Sequence, residues 1–440
     1  MIKLSDHFGY SKLLKFTIPA IGTVIFMSIY SIVDGFFVAN FAGTLPFAAL
    51  NFVYPLTMLL GSVGFLFGTG GSALVAKTLG EGKSTKANQI FSMLVYLSII
   101  VGITFEILGF FLLDDVAKFL GAEGELLAYS LSYGQILMLS LPMFILQFEF
   151  QYLFPAAEKP KLGFLITFAA GLTNIVLDAL FLAGFGWGLE GAAAATAISQ
   201  TIGGVLPFIY FFRKNSSRLQ LTKPVFDGAA LFKTVTNGVS ELMSNISESL
   251  ITMIFNWQLL KYAGSDGVAV FAILMYFAFI FEAVFLGYSA GISPVVSYHY
   301  GAKSKHELHS LLRKSLTMII LFAILMFTGA ETFARPLASI FVGADEHLME
   351  MTVHALRIFS FAFLFMGVVI FISAFFTALN NGVLSAVISG LRLAFEISAV
   401  LILPLIWGVD GIWASMVSAD ITAVIIAVTI LLFNRKRYGY

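Results

Sequence analysis

Apolar residues run through this chain in stretches of about twenty or more, parted by short polar breaks, with no sustained alternation of the kind a half-buried strand shows. A hydrocarbon core about 30 Å thick takes roughly 20 apolar residues per helix. The pattern predicts twelve membrane-spanning helices, near 13–39, 47–78, 88–113, 127–154, 162–184, 190–212, 229–260, 267–297, 311–333, 350–379, 384–407 and 411–433. Composition agrees: 59% of the residues are hydrophobic, 11% are charged and the mean hydropathy is +0.93. Soluble domains carry about 25% charged residues, so bilayer is the implied solvent. The segment from Met1 to Lys15 includes Asp6 and lacks a small-residue cleavage site, so the first span itself is expected to start insertion.

The breaks carry orientation. With the N-terminus in the cytoplasm, twenty of the twenty-five Lys and Arg fall in inner segments; Lys118, Lys261 and Arg335 fall outside, and Arg357 and Arg392 lie within spans. The bias of basic residues to the inner side predicts both termini in the cytoplasm of a multi-pass protein in the cell membrane. Trp187 and Trp407 then sit in outer turns, where interfacial aromatics are expected.

The pattern also repeats. Trp187-Gly188-Leu189-Glu190-Gly191 returns as Trp407-Gly408-Val409-Asp410-Gly411, and Phe41-Ala42-Gly43 returns as Tyr262-Ala263-Gly264. Gly80 with Lys83-Ser84 matches Gly301 with Lys303-Ser304. The period, 220 to 221 positions, is half the chain. Two six-helix halves follow, 1–220 and 221–440, both crossing the bilayer in the same sense and related by an axis along its normal. The expected fold is an all-α membrane protein of two six-helix lobes with pseudo-twofold symmetry.

Several motifs dissolve in this setting. Gly186-Trp187-Gly188-Leu189-Glu190-Gly191 has the letters of a dinucleotide fingerprint but joins two membrane helices rather than a strand to a helix. Gly82-Lys83-Ser84 ends like a phosphate-binding loop, yet Lys77 stands where its first glycine belongs. His306 and His309 lie in a basic loop without a matching carboxylate pair, and there is no cysteine, which excludes disulfides and thiolate chemistry. Neither H-E-x-x-H nor G-x-S-x-G occurs, so an intramembrane enzyme is not expected.

Ionisable residues inside spans are costly and by default mark an ion or substrate path. Acids dominate them: Asp34, Glu106, Glu149, Asp178, Glu241, Glu248, Glu282, Glu331, Glu396 and Asp420, against Arg357 and Arg392. Glu331 lies near a helix end, and Arg392 stands one turn from Glu396, where local pairing would account for both. Asp34 and Asp178 lie roughly 8 and 9 Å inside the outer ends of their spans, and Thr196 about as deep, at 1.5 Å per residue. Asn174, four residues before Asp178, shares its helix face. Two carboxylates, an amide and a hydroxyl at one depth suit a sodium ion or a shared proton, and they suit equally a set of hydrogen bonds between helices. Pro19, inside the first span, removes a backbone hydrogen bond and is expected to bend the helix that carries Asp34.

Taken together, Val33-Asp34-Gly35-Phe36-Phe37-Val38, Asn174-Ile175-Val176-Leu177-Asp178, Gly188-Leu189-Glu190-Gly191-Ala192-Ala193 with Ala195-Thr196, the segment Pro155 to Lys161 and the duplicated design resemble the multidrug and toxic compound extrusion (MATE) transporters, in particular their prokaryotic DinF-like and MepA-like branch. The resemblance covers nearly the whole chain. It implies a V-shaped pair of lobes that exports an organic, often cationic compound in exchange for H+ or Na+, with no other cofactor. It further implies a cation site at Asp34, Asn174, Asp178 and Thr196, and bending at Pro19. The family's second-lobe pattern uses an aspartate in the tenth span, which this chain lacks; Glu241, Glu248 and Glu282 are the acids left to serve that lobe or a cationic substrate. The partners expected are a small organic cation and the lipid bilayer, with no nucleic acid and a monomeric chain. The alternative is a flippase for a lipid-linked saccharide, whose pyrophosphate would call for basic residues in the spans.

Overall fold

The computed structural model describes residues 2–342 and 345–440, apart from the side chains of 245, 246 and 249. The first six helices are α1 (Tyr10–Phe37), α2 (Thr44–Gly80), α3 (Ser84–Phe119), α4 (Gly124–Ala156), α5 (Pro160–Asp178) and α6 (Gly188–Phe212). A continuous helical run Gly228–Gly301 follows, broken at Gly264 by φ 67° and ψ −155°, which makes it two spans, α7 (228–263) and α8 (265–301). Then come α9 (Lys305–Thr332), α10 in two pieces (Glu346–Ser360 and Phe363–Ala378) set at 45°, α11 (Gly382–Ile402) and α12 (Val409–Tyr438). Ten described helical stretches, the run through Gly264 counted as one, are long and apolar enough to cross a membrane, and the bent α10 makes eleven. Breaking the long run at Gly264 gives the twelve spans that hydropathy predicts.

The repeat is visible in the backbone. Gly43 and Gly264, 221 positions apart, both adopt positive φ (106° and 67°) in the turn after the first span of each lobe. The same separation joins Gly82 (φ 79°) to Lys303 (φ 56°), and 222 positions join Glu158 (φ 62°) to Asn380 (φ 58°). Left-handed φ favours glycine, so Lys303, Glu158 and Asn380 hold that geometry through their surroundings.

The lobes meet through small residues, the usual solution where lipid supplies no hydrophobic drive between helices. A Cβ at Gly80 would strike the Tyr298 carbonyl, and one at Gly301 would strike the Lys77 carbonyl. Tyr298 and Lys77 are themselves 221 positions apart, so the two contacts are one contact repeated by the pseudo-twofold axis. Gly70 sits in the same way against Thr234, and Gly238 against Leu66. All of these lie toward the ends of α2, α7 and α8 that share a face with both chain termini. The lobes are closed together on that face.

Candidate functional site

In the first lobe, α1 and α5 each stop being α-helical beside an aspartate. α1 gives way to a π-turn at Val38–Ala42, four residues after Asp34, and α5 gives way to one at Ala179–Gly184, directly after Asp178. The wider turn shifts the backbone partner by one residue, as in Gly43 N–H to the Val38 carbonyl at 3.2 Å and Phe185 N–H to Leu180 at 2.8 Å. Such π-turns recur where a helix must place a functional side chain. The two turns touch each other and so bring the ends of α1 and α5 together. By contrast α1 stays helical through Pro19, whose carbonyl accepts the Thr23 hydroxyl at 2.9 Å.

The four first-lobe residues converge. Asn174 and Asp178 are buried on one face of α5, and Asn174 Nδ2 donates to Thr196 Oγ1 of α6 at 3.4 Å. The carboxyl groups of Asp34 and Asp178 are close enough to act on each other. Asp34 Oδ1, both oxygens of Asp178 and Asn174 Oδ1 are buried without a hydrogen-bond partner. A buried acceptor left without a donor costs about 1–3 kcal/mol, so these oxygens call for a shared proton or another positive partner. Tyr30, Tyr54 and Tyr133 stand around Asp34. In the second lobe the counterpart of Asp34, 221 positions on, is Phe255, fully buried and stacked on Phe271 at 5.0 Å.

The second-lobe acids take other partners. Tyr152 of α4 donates to Glu241 of α7 at 3.5 Å, a hydrogen bond across the two lobes. Tyr54 feels both Asp34 and Glu248. Glu282 and Glu248 lie within the field of Arg392. The sequence suggests that Arg392 pairs with Glu396 along α11, but its Nε donates to Asp420 Oδ1 of α12 at 2.7 Å. Asp420 Oδ2 is buried without a partner, and Glu396 is buried close by. Glu331 accepts from Ser360 at 2.7 Å. Glu149 is fully buried on α4, and the nearest polar group acting on it is the buried Ser98 hydroxyl of α3. His306 lies 3.5 Å from Glu307, and among the described residues no three His, Cys, Asp or Glu side chains gather as a metal site.

One guanidinium serving several carboxylates makes a ranking testable. Arg392→Gln strands Asp420 and Glu396 without a counter-charge and is expected to cost about 3–5 kcal/mol. Asp420→Asn leaves Arg392 its other acids and is expected to cost about 1–3 kcal/mol. Denaturation of the two purified variants in one detergent checks the order, and the reverse order would contradict the network.

A model of the MatE family matches the chain twice, over residues 19–180 and 242–403. Among curated proteins, the multidrug export protein MepA of Staphylococcus saprophyticus is 24% identical over 97% of this chain and 94% of its own length. MepA of Staphylococcus aureus is likewise 24% identical, with the same coverage. A solved structure described as the outward-facing conformation of a multidrug resistance MATE family transporter of the MOP superfamily superimposes with TM-score 0.92 at 21% identity, covering 98% of this chain and 97% of that one. A MOP superfamily transporter from Pyrococcus furiosus, described as having a binding pocket of reverse polarity, superimposes with TM-score 0.88 at 20% identity and the same coverage. These relatives are transporters and not enzymes. With its two matched repeats in two six-helix lobes, this multi-pass membrane transporter belongs to the MatE family.

Proposed function

We propose that the protein is a secondary antiporter that exports organic, cationic and lipophilic compounds across the cell membrane in exchange for H+ or Na+, with both termini in the cytoplasm. The observation that carries the reading is the set of buried, unpartnered oxygens of Asp34, Asn174 and Asp178, beside Thr196. In this reading the lobe of residues 1–220 holds the coupling cation and the lobe of 221–440 does not. Pro19 lets α1 bend as the cation enters and leaves. The chain works as a monomer, needs no resident cofactor and takes no nucleic acid.

Substrate is held where the lobes meet. Glu241, Glu248 and Glu282 supply negative charge there, and Tyr152 and Tyr54 offer aromatic faces, the chemistry that suits a delocalised organic cation. A lipid-linked pyrophosphate finds the opposite field, since Arg392 is already committed to Asp420. The relatives named for multidrug export favour the same choice.

The test is transport in proteoliposomes loaded with ethidium under an imposed proton or sodium gradient. Expected is ethidium movement driven by one of the two gradients and collapsed by the matching ionophore. Movement that neither gradient drives would refute the antiport reading.

A further inference from the structure

The termini-bearing face carries contacts that helix packing alone does not require. The lead-in to each lobe crosses over and docks on the other lobe. Segment 2–9 precedes α1 but reaches α9: His7 Nδ1 lies 2.7 Å from Glu307 Oε1, and Lys314 Nζ donates to the Phe8 carbonyl at 2.6 Å. Leu4 and Phe8 are fully buried beneath it, and Leu4 N–H donates at 2.8 Å to Glu158, the residue held at φ 62°. Segment 219–227 precedes α7 but reaches α3: Gln220 N–H donates to Asn88 Oδ1 at 3.0 Å, Thr222 N–H to Ser92 Oγ at 2.8 Å, and Asp227 pairs with Lys86 at 3.4 Å.

The two crossings are related by the repeat. Lys86 and Glu307 are 221 positions apart, and each stands on the first turn of α3 or α9 where the opposite lobe's lead-in meets it. The partner is Asp227 for Lys86 and His7 for Glu307, while Asp6, the repeat counterpart of Asp227, pairs with Lys12 of its own lobe. Asp227 is held below the usual carboxylate range chiefly by the Ala230 N–H, which outweighs the opposing effect of burial, with Lys86 adding to it, so it is ionised at neutral pH.

We propose that segments 2–9 and 219–227 form a pair of reciprocal clasps that hold the lobes shut on the termini-bearing face, and that both must release before substrate enters from that side. The inference rests on the antiport reading for its role in transport, but not for its contacts. Each lead-in is tied to one lobe by its helix and to the other by its docking, so the lobes cannot part there while either is seated. Opening therefore takes the rupture of a few hydrogen bonds and ion pairs and the exposure of two apolar anchors, a gate with two discrete states.

The native chain contains no cysteine, which makes a single engineered thiol a clean reporter. Thr234 is fully buried against Gly70 and Gly71 of the other lobe. In a Thr234→Cys background, a membrane-impermeant maleimide is applied from the termini-bearing side without substrate or ion gradient. Phe8→Ala, which removes a buried anchor, is expected to speed labelling about tenfold or more, and Lys86→Glu, which spoils a half-exposed ion pair, about two- to fivefold. Glu307→Lys is expected to do the same, and His7→Asp added to it to bring labelling back toward the starting rate. Recovery by the reversed pair separates a specific clasp from general loosening, since a damaged fold is not repaired by a second charge change. Unchanged labelling in the single variants, or no recovery in the reversed pair, would overturn the proposal. Labelling that behaves as expected in a protein that fails to move ethidium would keep the clasp and remove the antiport reading.

Discussion

Asp178→Asn and Asp34→Asn are expected each to reduce gradient-driven ethidium export at least about a hundredfold, since removing one partner of a buried charge costs about 3–5 kcal/mol and each 1.4 kcal/mol is a factor of ten. The substitutions keep shape and volume and change only the charge that a bound H+ or Na+ answers. The packing of α1 against α5 stays, so both variants should insert and remain monodisperse. Asp178 is the more sensitive of the two: both of its oxygens are buried and unpartnered, whereas for Asp34 this holds of one oxygen. Thr196→Val, which takes away only a hydroxyl that accepts from Asn174 at 3.4 Å, is expected to fall between these variants and the native chain. The same assay on Phe255→Leu, at the second-lobe counterpart of Asp34, should show coupling intact. Undiminished export by both aspartate variants in vesicles would remove the site.

Much of this architecture is legible in the residues, and the reason is the solvent. Lipid permits only helices and closed barrels, whose backbones are satisfied internally, so apolar runs of about twenty residues nearly dictate helices. The turn glycines were legible for a related reason: Gly43 and Gly264 recur because the chain reverses with positive φ at both. Hydropathy is blind where the backbone departs from a rod without changing composition. Nothing in Val38–Ala42 or Ala179–Gly184 announces a π-turn, and nothing at Phe361-Ala362 announces the bend of α10. In the candidate site, depth and four-residue spacing placed Asn174, Asp178 and Thr196 together because these are properties of one helix and a short turn. Arg392 shows the limit. Spacing offers Glu396, one turn away, while the actual partner is Asp420, 28 residues on, a choice made by how α11 packs on α12. The clasps are harder still to read, since each joins positions some 130 to 300 residues apart.

Replacing Gly80 or Gly301 with alanine is expected to abolish closure of the termini-bearing face and to bring transport close to background. At both positions the new methyl would meet a backbone carbonyl of the other lobe rather than the end of a flexible side chain, so relief requires the helices themselves to move apart. Interiors are close-packed and deform little, so one methyl at such a crossing acts on the whole interface. The pseudo-twofold axis sharpens the test: Gly80 on Tyr298 and Gly301 on Lys77 are equivalent contacts, so the two variants should fail alike, and the double variant should be little worse than either. Gly329 supplies the control, a glycine within α9 with no atom within 4 Å of a new Cβ; Gly329→Ala should transport normally and gain about 1 kcal/mol from helix propensity. In the Thr234→Cys background, Gly80→Ala and Gly301→Ala should label rapidly from the termini-bearing side, because lobes held apart at this crossing leave the clasps unable to seat. Slow labelling with normal transport in either would show that the lobes pack there more loosely than the glycines indicate. Rapid labelling with lost transport would place closure at these two glycines and leave the clasps as its latch.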